Sequence, residues 1–151
     1  MRSLSLRLLL VCLGFFADSG AAIRLSDLEF HQIDIRDGLS QNTVTCIAQD
    51  DVGFLWVGTQ AGLNRFDGTG FTVFVHDNAD SESVANSYIM SLAARDDGSL
   101  WVGTFHGLSR FDPELEEFDS YRSGPESGLR DDRIRALAAG GDGRLWIGTE
   151  T

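Results

Sequence analysis

The chain runs to 151 residues with 17 Gly but only 2 Pro, and its 42% hydrophobic and 23% charged composition is that of a packed domain, which excludes a disordered tail, a collagen or a membrane bundle. All 12 basic residues are Arg, and against 23 Asp and Glu they leave a net charge of −11; such a chain repels phosphate backbones and anionic lipid surfaces, so nucleic acid is excluded as a partner. Glycine well above the usual ~7%, without proline, points to short strands joined by tight turns rather than to helices.

The first segment reads as an address. Arg2 and Arg7 flank a short polar start, residues 8–17 are an apolar run, and Ser19-Gly20-Ala21-Ala22 supplies small residues for a peptidase. This is the pattern of a secretory signal peptide over residues 1–22, cut near Ala21 or Ala22. The run falls short of the ~20 residues of a spanning helix. Val11 stands where a lipoprotein signal needs a small residue before Cys12. Removal of the leader leaves residues 23–151 with Cys46 as the only thiol, so no internal disulfide is available. Cys46 lies in Val44-Thr45-Cys46-Ile47-Ala48, which reads as a buried strand and makes the cysteine structural.

Beyond the leader the sequence repeats. Leu55-Trp56-Val57-Gly58-Thr59, Leu100-Trp101-Val102-Gly103-Thr104 and Leu145-Trp146-Ile147-Gly148-Thr149 place Trp56, Trp101 and Trp146 at a spacing of 45. The same register aligns Val44, Ile89 and Ile134, then Ala48, Ala93 and Ala138, and it aligns Gly62-Leu63-Asn64-Arg65-Phe66-Asp67 with Gly107-Leu108-Ser109-Arg110-Phe111-Asp112. A 45-residue unit is the size of one four-stranded propeller blade, so the fold class is all-β, with antiparallel blades.

Within the first unit the apolar segments predict strands at 44–49, 54–59, 63–66 and 71–75. Asp97-Gly98 and Asp142-Gly143 predict two-residue hairpins with positive φ at both positions, and Val52-Gly53 takes their place in the first unit, where a β-branched residue resists that geometry. Small residues at matched positions, Cys46, Ser91 and Ala136, suit strands crowded toward an axis. Each Trp, with Gly58, Gly103 and Gly148 beside it, belongs to the repeat core and packs on the next blade; the surfaces around Trp56 and Trp146 are expected to be open. Residues 131–141 look locally like a capped helix, but the register makes 134–139 a strand, since tertiary context overrides propensity.

These residues resemble the two-component regulator propeller repeats. The string Gly38-Leu39-Ser40-Gln41-Asn42-Thr43-Val44, the Asp-x-Gly-x-Leu-Trp-x-Gly-Thr core and the following Gly-Leu-x-Arg-Phe-Asp carry the resemblance over about residues 28–151. It implies a periplasmic sensor region built on a seven-bladed ring, followed by an immunoglobulin-like domain, a membrane helix and a cytoplasmic histidine kinase or diguanylate cyclase. On that basis residues 23–151 are expected to be an N-terminal part of a longer sensor, about two and a half blades: 43–75 the first, 88–121 the second, 133–151 part of a third, and 28–35 the outer strand of the blade that closes the ring. The expected partners are the remaining blades and signalling domains of the same chain, with the membrane reached only through a later region.

Candidate site residues are few. His31, His76 and Tyr121 share one repeat position but fall on separate blades, so no metal site is expected. The acidic turns Asp50-Asp51, Asp96-Asp97 and Asp142 lack the alternating oxygen donors of a calcium loop and read as hairpin chemistry. Arg65 and Arg110 are expected to pair with carboxylates. No nucleophile, phosphate-loop or metalloprotease motif is present in the sequence, and neither a catalytic residue nor a cofactor is assigned. The turn after each Trp-x-Gly-Thr shares a propeller face with the linkers, so Gln60, Phe105, His106, Asn42, Ser87 and Asp132 are the candidate ligand-binding residues; for any one of them taken alone a solvated turn is the simpler explanation. Three functions remain. The leading one is ligand sensing by a membrane-bound periplasmic receptor, of a small molecule or, as with similar sensors, an oligosaccharide. The alternatives are a secreted propeller enzyme such as a polysaccharide lyase, for which His106 lacks a Tyr partner on its face, and a protein-binding scaffold.

Overall fold

The computed structural model describes residues 29–151; the expected signal peptide over 1–22 lies outside the described residues. The chain divides after His31, and every described strand belongs to the unit Gln32–Thr151. Strands β1 (Val44–Gln49), β2 (Leu55–Thr59), β3 (Leu63–Phe66) and β4 (Phe71–Phe74) form one antiparallel sheet in sequential order. A second sheet repeats the order with β5 (Ile89–Ala94), β6 (Leu100–Thr104), β7 (Gly107–Asp112) and β8 (Glu117–Tyr121), and β9 (Ile134–Ala139) pairs with β10 (Leu145–Thr149) in a third. Residues 134–139 are thus strand, despite their helical composition. The first strands of successive sheets adjoin, β1 against β5 and β5 against β9, as in propeller blades set around an axis.

Close approach at the inner strands explains the glycine of Trp-x-Gly-Thr. A Cβ on Gly58 would lie 2.5 Å from Cys46 Sγ and 2.7 Å from Ile89 Cγ2, and one on Gly103 would collide with Ser91 Oγ and lie 2.7 Å from Ile134 Cγ2. Ile89 and Ile134, which open the second and third inner strands, therefore seat on the glycine of the preceding blade. Side-chain bonds tie the same seam, from Thr45 Oγ1 to the Ile89 carbonyl at 2.8 Å and from Ser91 Oγ to the Ile134 carbonyl at 3.2 Å.

The core between the first two blades is aromatic. Trp56, 1% exposed, stacks on Phe74 with centroids 5.8 Å apart and meets Phe111 of the second blade edge-on at 4.9 Å, while Phe118 closes the cluster against Phe74 and Phe111. The Trp56 indole N–H donates to Asp50 Oδ2 at 2.7 Å. Arg65 lies over this cluster, 5.7 Å from the Trp56 ring, and pairs with Glu116 of the second blade at 2.8 Å; Arg110 stands opposite Asp119 in the β7–β8 ladder. Trp56 is therefore not an open surface, because Phe111 covers it. Trp101 is half-buried, and Trp146 is 64% exposed.

Two further expectations are corrected. The β1–β2, β5–β6 and β9–β10 hairpins are not two-residue loops. In the second, Arg95 N–H donates to the Ser99 carbonyl and Gly98 N–H to the Arg95 carbonyl, so the closing pair spans three loop residues and only Gly98 has positive φ, 78°. The same bonds recur at Asp50/Phe54 with Gly53, and at Gly140/Arg144 with Gly143. Val52 and Asp97 thus keep negative φ, and Val52 is unstrained in a type I turn closed by a left-handed glycine. The outer strand expected over 28–35 is not formed either: residues 29–34 carry no regular structure, and Ile35–Asp37 is a 3-10 turn capped by Asp34, which accepts Arg36 N–H at 2.8 Å. An outer strand needs a paired neighbour, and among the described residues none lies beside it.

Candidate ligand-recognition face

Each β2–β3-type turn is pinned by the buried threonine that ends the preceding strand. Thr59 Oγ1 donates to the Gly62 carbonyl at 3.0 Å and accepts Ala61 N–H at 3.1 Å; Thr104 Oγ1 does the same with Gly107 and His106 at 2.7 and 3.1 Å. These bonds push the side chains of residues 60 and 105 outward on one face. The face also holds the start of each inner strand, where Thr45, Met90 and Arg135 are bulged out of register. Ladder bonds from Phe105 N–H to the Tyr88 carbonyl, 2.9 Å, and from Glu150 N–H to the Arg133 carbonyl, 3.2 Å, attach the linkers to it.

Four of the six expected residues meet there. Gln60 Nε2 donates to the Tyr88 hydroxyl at 3.3 Å across the first seam. Tyr88 stacks on Phe105, centroids 5.6 Å apart and planes 10° from parallel, and the Arg133 guanidinium lies 4.8 Å from the Phe105 centroid across the second seam. His106 Nδ1 stands 3.6 Å from Asp132 Oδ2, and Asp132 Oδ1 also accepts the Ser123 N–H. Phe105, His106, Ser123, Arg130, Asp131, Asp132 and Arg133 line an open pocket of about 460 Å³. The other two residues close their own loops. Asn42 Oδ1 accepts Ile35 N–H and Ser87 Oγ accepts His76 N–H, both at 3.0 Å.

Charges around the pocket are ordered. The Arg133 N–H, then the Thr151 hydroxyl, hold the Asp131 carboxyl below its ordinary range, and Glu150 is held low by Arg133 and then Arg135. The bond from Glu150, in turn, raises the Arg133 guanidinium above its ordinary value. Sequence reading missed Tyr88, Arg130 and Arg133. Thr43, Tyr88 and Arg133 share one repeat position and vary as sharply as Gln60, Phe105 and Glu150, so the signal was present in the register. Tyr88 also puts a tyrosine on the His106 face, where none was expected. His76 is held by the Val84 carbonyl at 2.8 Å, and His31 lies 3.7 Å from Glu29; among the described residues no cluster suited to a metal occurs.

The sequence profile of the two component regulator propeller matches three times, at residues 38–61, 83–106 and 128–151, each match running from a linker through the turn just described. The chain carries three two component regulator propeller repeats. Its structure is similar to the extracellular domain assigned to the hybrid two component system BT3049 of B. thetaiotaomicron, with a TM-score of 0.69 and 28% identity over 78% of this chain and 17% of that one. It shares a fold with virginiamycin B lyase of Staphylococcus aureus, TM-score 0.51 at 14% identity, over 69% of this chain and 33% of the lyase. Over 49 residues, 32% of the propeller chain, it is 51% identical to histidine kinase P4 of Formosa agariphila, of which those residues are 4%. Among the described residues no helix is long and apolar enough to cross a membrane.

Proposed function

We propose that this propeller is part of the extracytoplasmic ligand-recognition region of a membrane-bound bacterial two-component receptor. It is exported by the signal peptide at residues 1–22 and has no catalytic role of its own. Ligand binds the face bearing Gln60, Tyr88, Phe105, His106, Asp132 and Arg133, and its binding free energy shifts the balance between two arrangements of the propeller and the domains that follow it. The observation that carries the reading is the joined surface on one face: Gln60 bonds Tyr88 across the first seam, Tyr88 stacks on Phe105, and Arg133 reaches Phe105 across the second, beside the pocket that His106 and Asp132 line. A scaffold fixed by backbone geometry with one asymmetric face suits discrimination of one ligand. Similarity to the extracellular domain of BT3049 supports the extracytoplasmic placement.

An alkaline phosphatase fusion after Thr151 tests the export step, with phosphatase activity expected outside the cytoplasm and its absence refuting it. Reading the coding sequence past codon 151 tests the class: a membrane helix and a kinase or cyclase region are expected, and a stop after the last blade would favour a secreted enzyme or a scaffold.

A further inference from the structure

The pocket beside Phe105 has a chemical bias that the fold itself does not require. Its two acidic residues are already engaged by protein donors: Asp131 Oδ1 accepts Arg133 N–H at 2.9 Å and Oδ2 accepts the Thr151 hydroxyl at 2.7 Å, while Asp132 accepts Ser123 N–H and faces His106. Arg133 and Arg135 are both directed at Glu150, at 2.9 and 3.0 Å. What remains without a partner among the described residues is one-sided. The exposed Arg130 guanidinium makes no ion pair or hydrogen bond, and neither His106 Nε2 nor Ser123 Oγ is bonded. Arg130 and Ser123 can donate, His106 Nε2 donates in the form of the ring that carries its proton there, and Arg130 adds a positive charge in a chain of net charge −11. The Phe105 ring, 40% exposed, supplies the apolar wall.

We infer that this pocket takes a small carboxylate, whose charge is held by Arg130 with His106 Nε2 and Ser123 Oγ as further donors, and whose body lies along Phe105. A guanidinium matches a carboxylate in a planar, two-bonded geometry, and the surrounding negative charge makes a single unpaired arginine selective, because an anion that misses it is repelled. The inference rests on the recognition face proposed above and adds the class of ligand. Aryl acids and sugar acids both present a carboxylate on a body with a flat or apolar side, so the test carries both.

On the complete propeller, benzoate and glucuronate are titrated by nuclear magnetic resonance or calorimetry beside their neutral counterparts, benzamide and glucose. At least one acid is expected to bind with a dissociation constant of about 1 mM, its neutral counterpart at least ~10-fold more weakly. Arg130→Gln, in an exposed linker, is expected to weaken the acid ~10-fold with an unchanged melting temperature, and Phe105→Leu to weaken it while keeping the preference for charge. Asp97→Asn on the opposite face is expected to change nothing. Which acid binds identifies the source. Equal binding of acid and neutral probe at this pocket, or a neutral compound alone that loses affinity in Phe105→Leu, overturns the carboxylate and leaves the face intact. Acid binding indifferent to both Arg130→Gln and Phe105→Leu overturns the face as well, and no binding of either acid overturns the inference.

Discussion

Replacing Trp56 by alanine probes the packing that fixes one blade on the next. The indole is 1% exposed, with Phe74 of its own blade on one side and Phe111 of the next at 4.9 Å. Deletion of a buried tryptophan costs about 3–5 kcal/mol, and the upper part of that range applies because two blades meet over the cavity and neither can collapse alone. The Asp50 carboxylate loses the indole N–H but still accepts Gly53 and Phe54 N–H at 2.9 Å, so no unpaired charge is buried. At about 4 kcal/mol the melting temperature of the complete seven-bladed propeller falls by roughly 6 °C. Trp56→Phe, which keeps the ring packing and drops the bond to Asp50, costs about 1–2 kcal/mol. Thermal and urea unfolding followed by circular dichroism give both values. If Trp56→Ala cost under about 1 kcal/mol, or less than Trp56→Phe, the aromatic seam would not hold the blades together.

Gly58→Ala and Gly103→Ala should each cost about 1–3 kcal/mol by overpacking against the next inner strand, whereas Gly70→Ala, where an added Cβ meets nothing within 4 Å, should stay within about 0.5 kcal/mol; urea midpoints check the contrast. The Thr69 hydroxyl, then the Thr69 and Gly70 N–H groups, hold the Asp67 carboxyl down to about 2 from 3.8. Since the folded value is depressed, the stabilisation from this turn is complete above pH 3.8 and lost as the pH falls toward about 2. A carbon-detected titration of Asp67 with its midpoint near 3.8 would show that the turn does not form. Expressed alone, residues 23–151 should self-associate in light scattering, because Ile47, Trp146 and Val44 are 65%, 64% and 43% exposed; a monomer with a sharp thermal transition would contradict this.

Much of the fold was legible because the repeat is strict. The register of Trp56, Trp101 and Trp146 places every strand, and it overrides the helical composition of residues 131–141, since strand pairing with Leu145–Thr149 decides the conformation there. The hairpin type was not legible. Asp-Gly fits a two-residue loop and also the last two places of a three-residue one, and only the bond from Arg95 N–H to the Ser99 carbonyl tells them apart. The register also could not say that residues 29–34 would lack a strand, because an outer strand depends on a neighbour and not on its own pattern. At the site, variation across the repeat located the face through Gln60, Phe105 and His106. It could not separate Asn42 and Ser87, whose oxygens close local loops, from Asp132, which reaches the pocket. Polar residues at one repeat position differ in what they bond, and side-chain direction is settled only in three dimensions.

Calorimetric titration of the complete extracytoplasmic region, with a ligand returned by a screen of the intact receptor, tests the recognition face most directly. Single substitutions Phe105→Ala and His106→Ala are compared with Asp97→Ala on the hairpin face. Loss of affinity in the first two, about 10-fold or more (1.4 kcal/mol), with Asp97→Ala unchanged, is the predicted result. Unchanged affinity in both turn variants together with a loss in Asp97→Ala would assign recognition to the hairpin face and contradict the account.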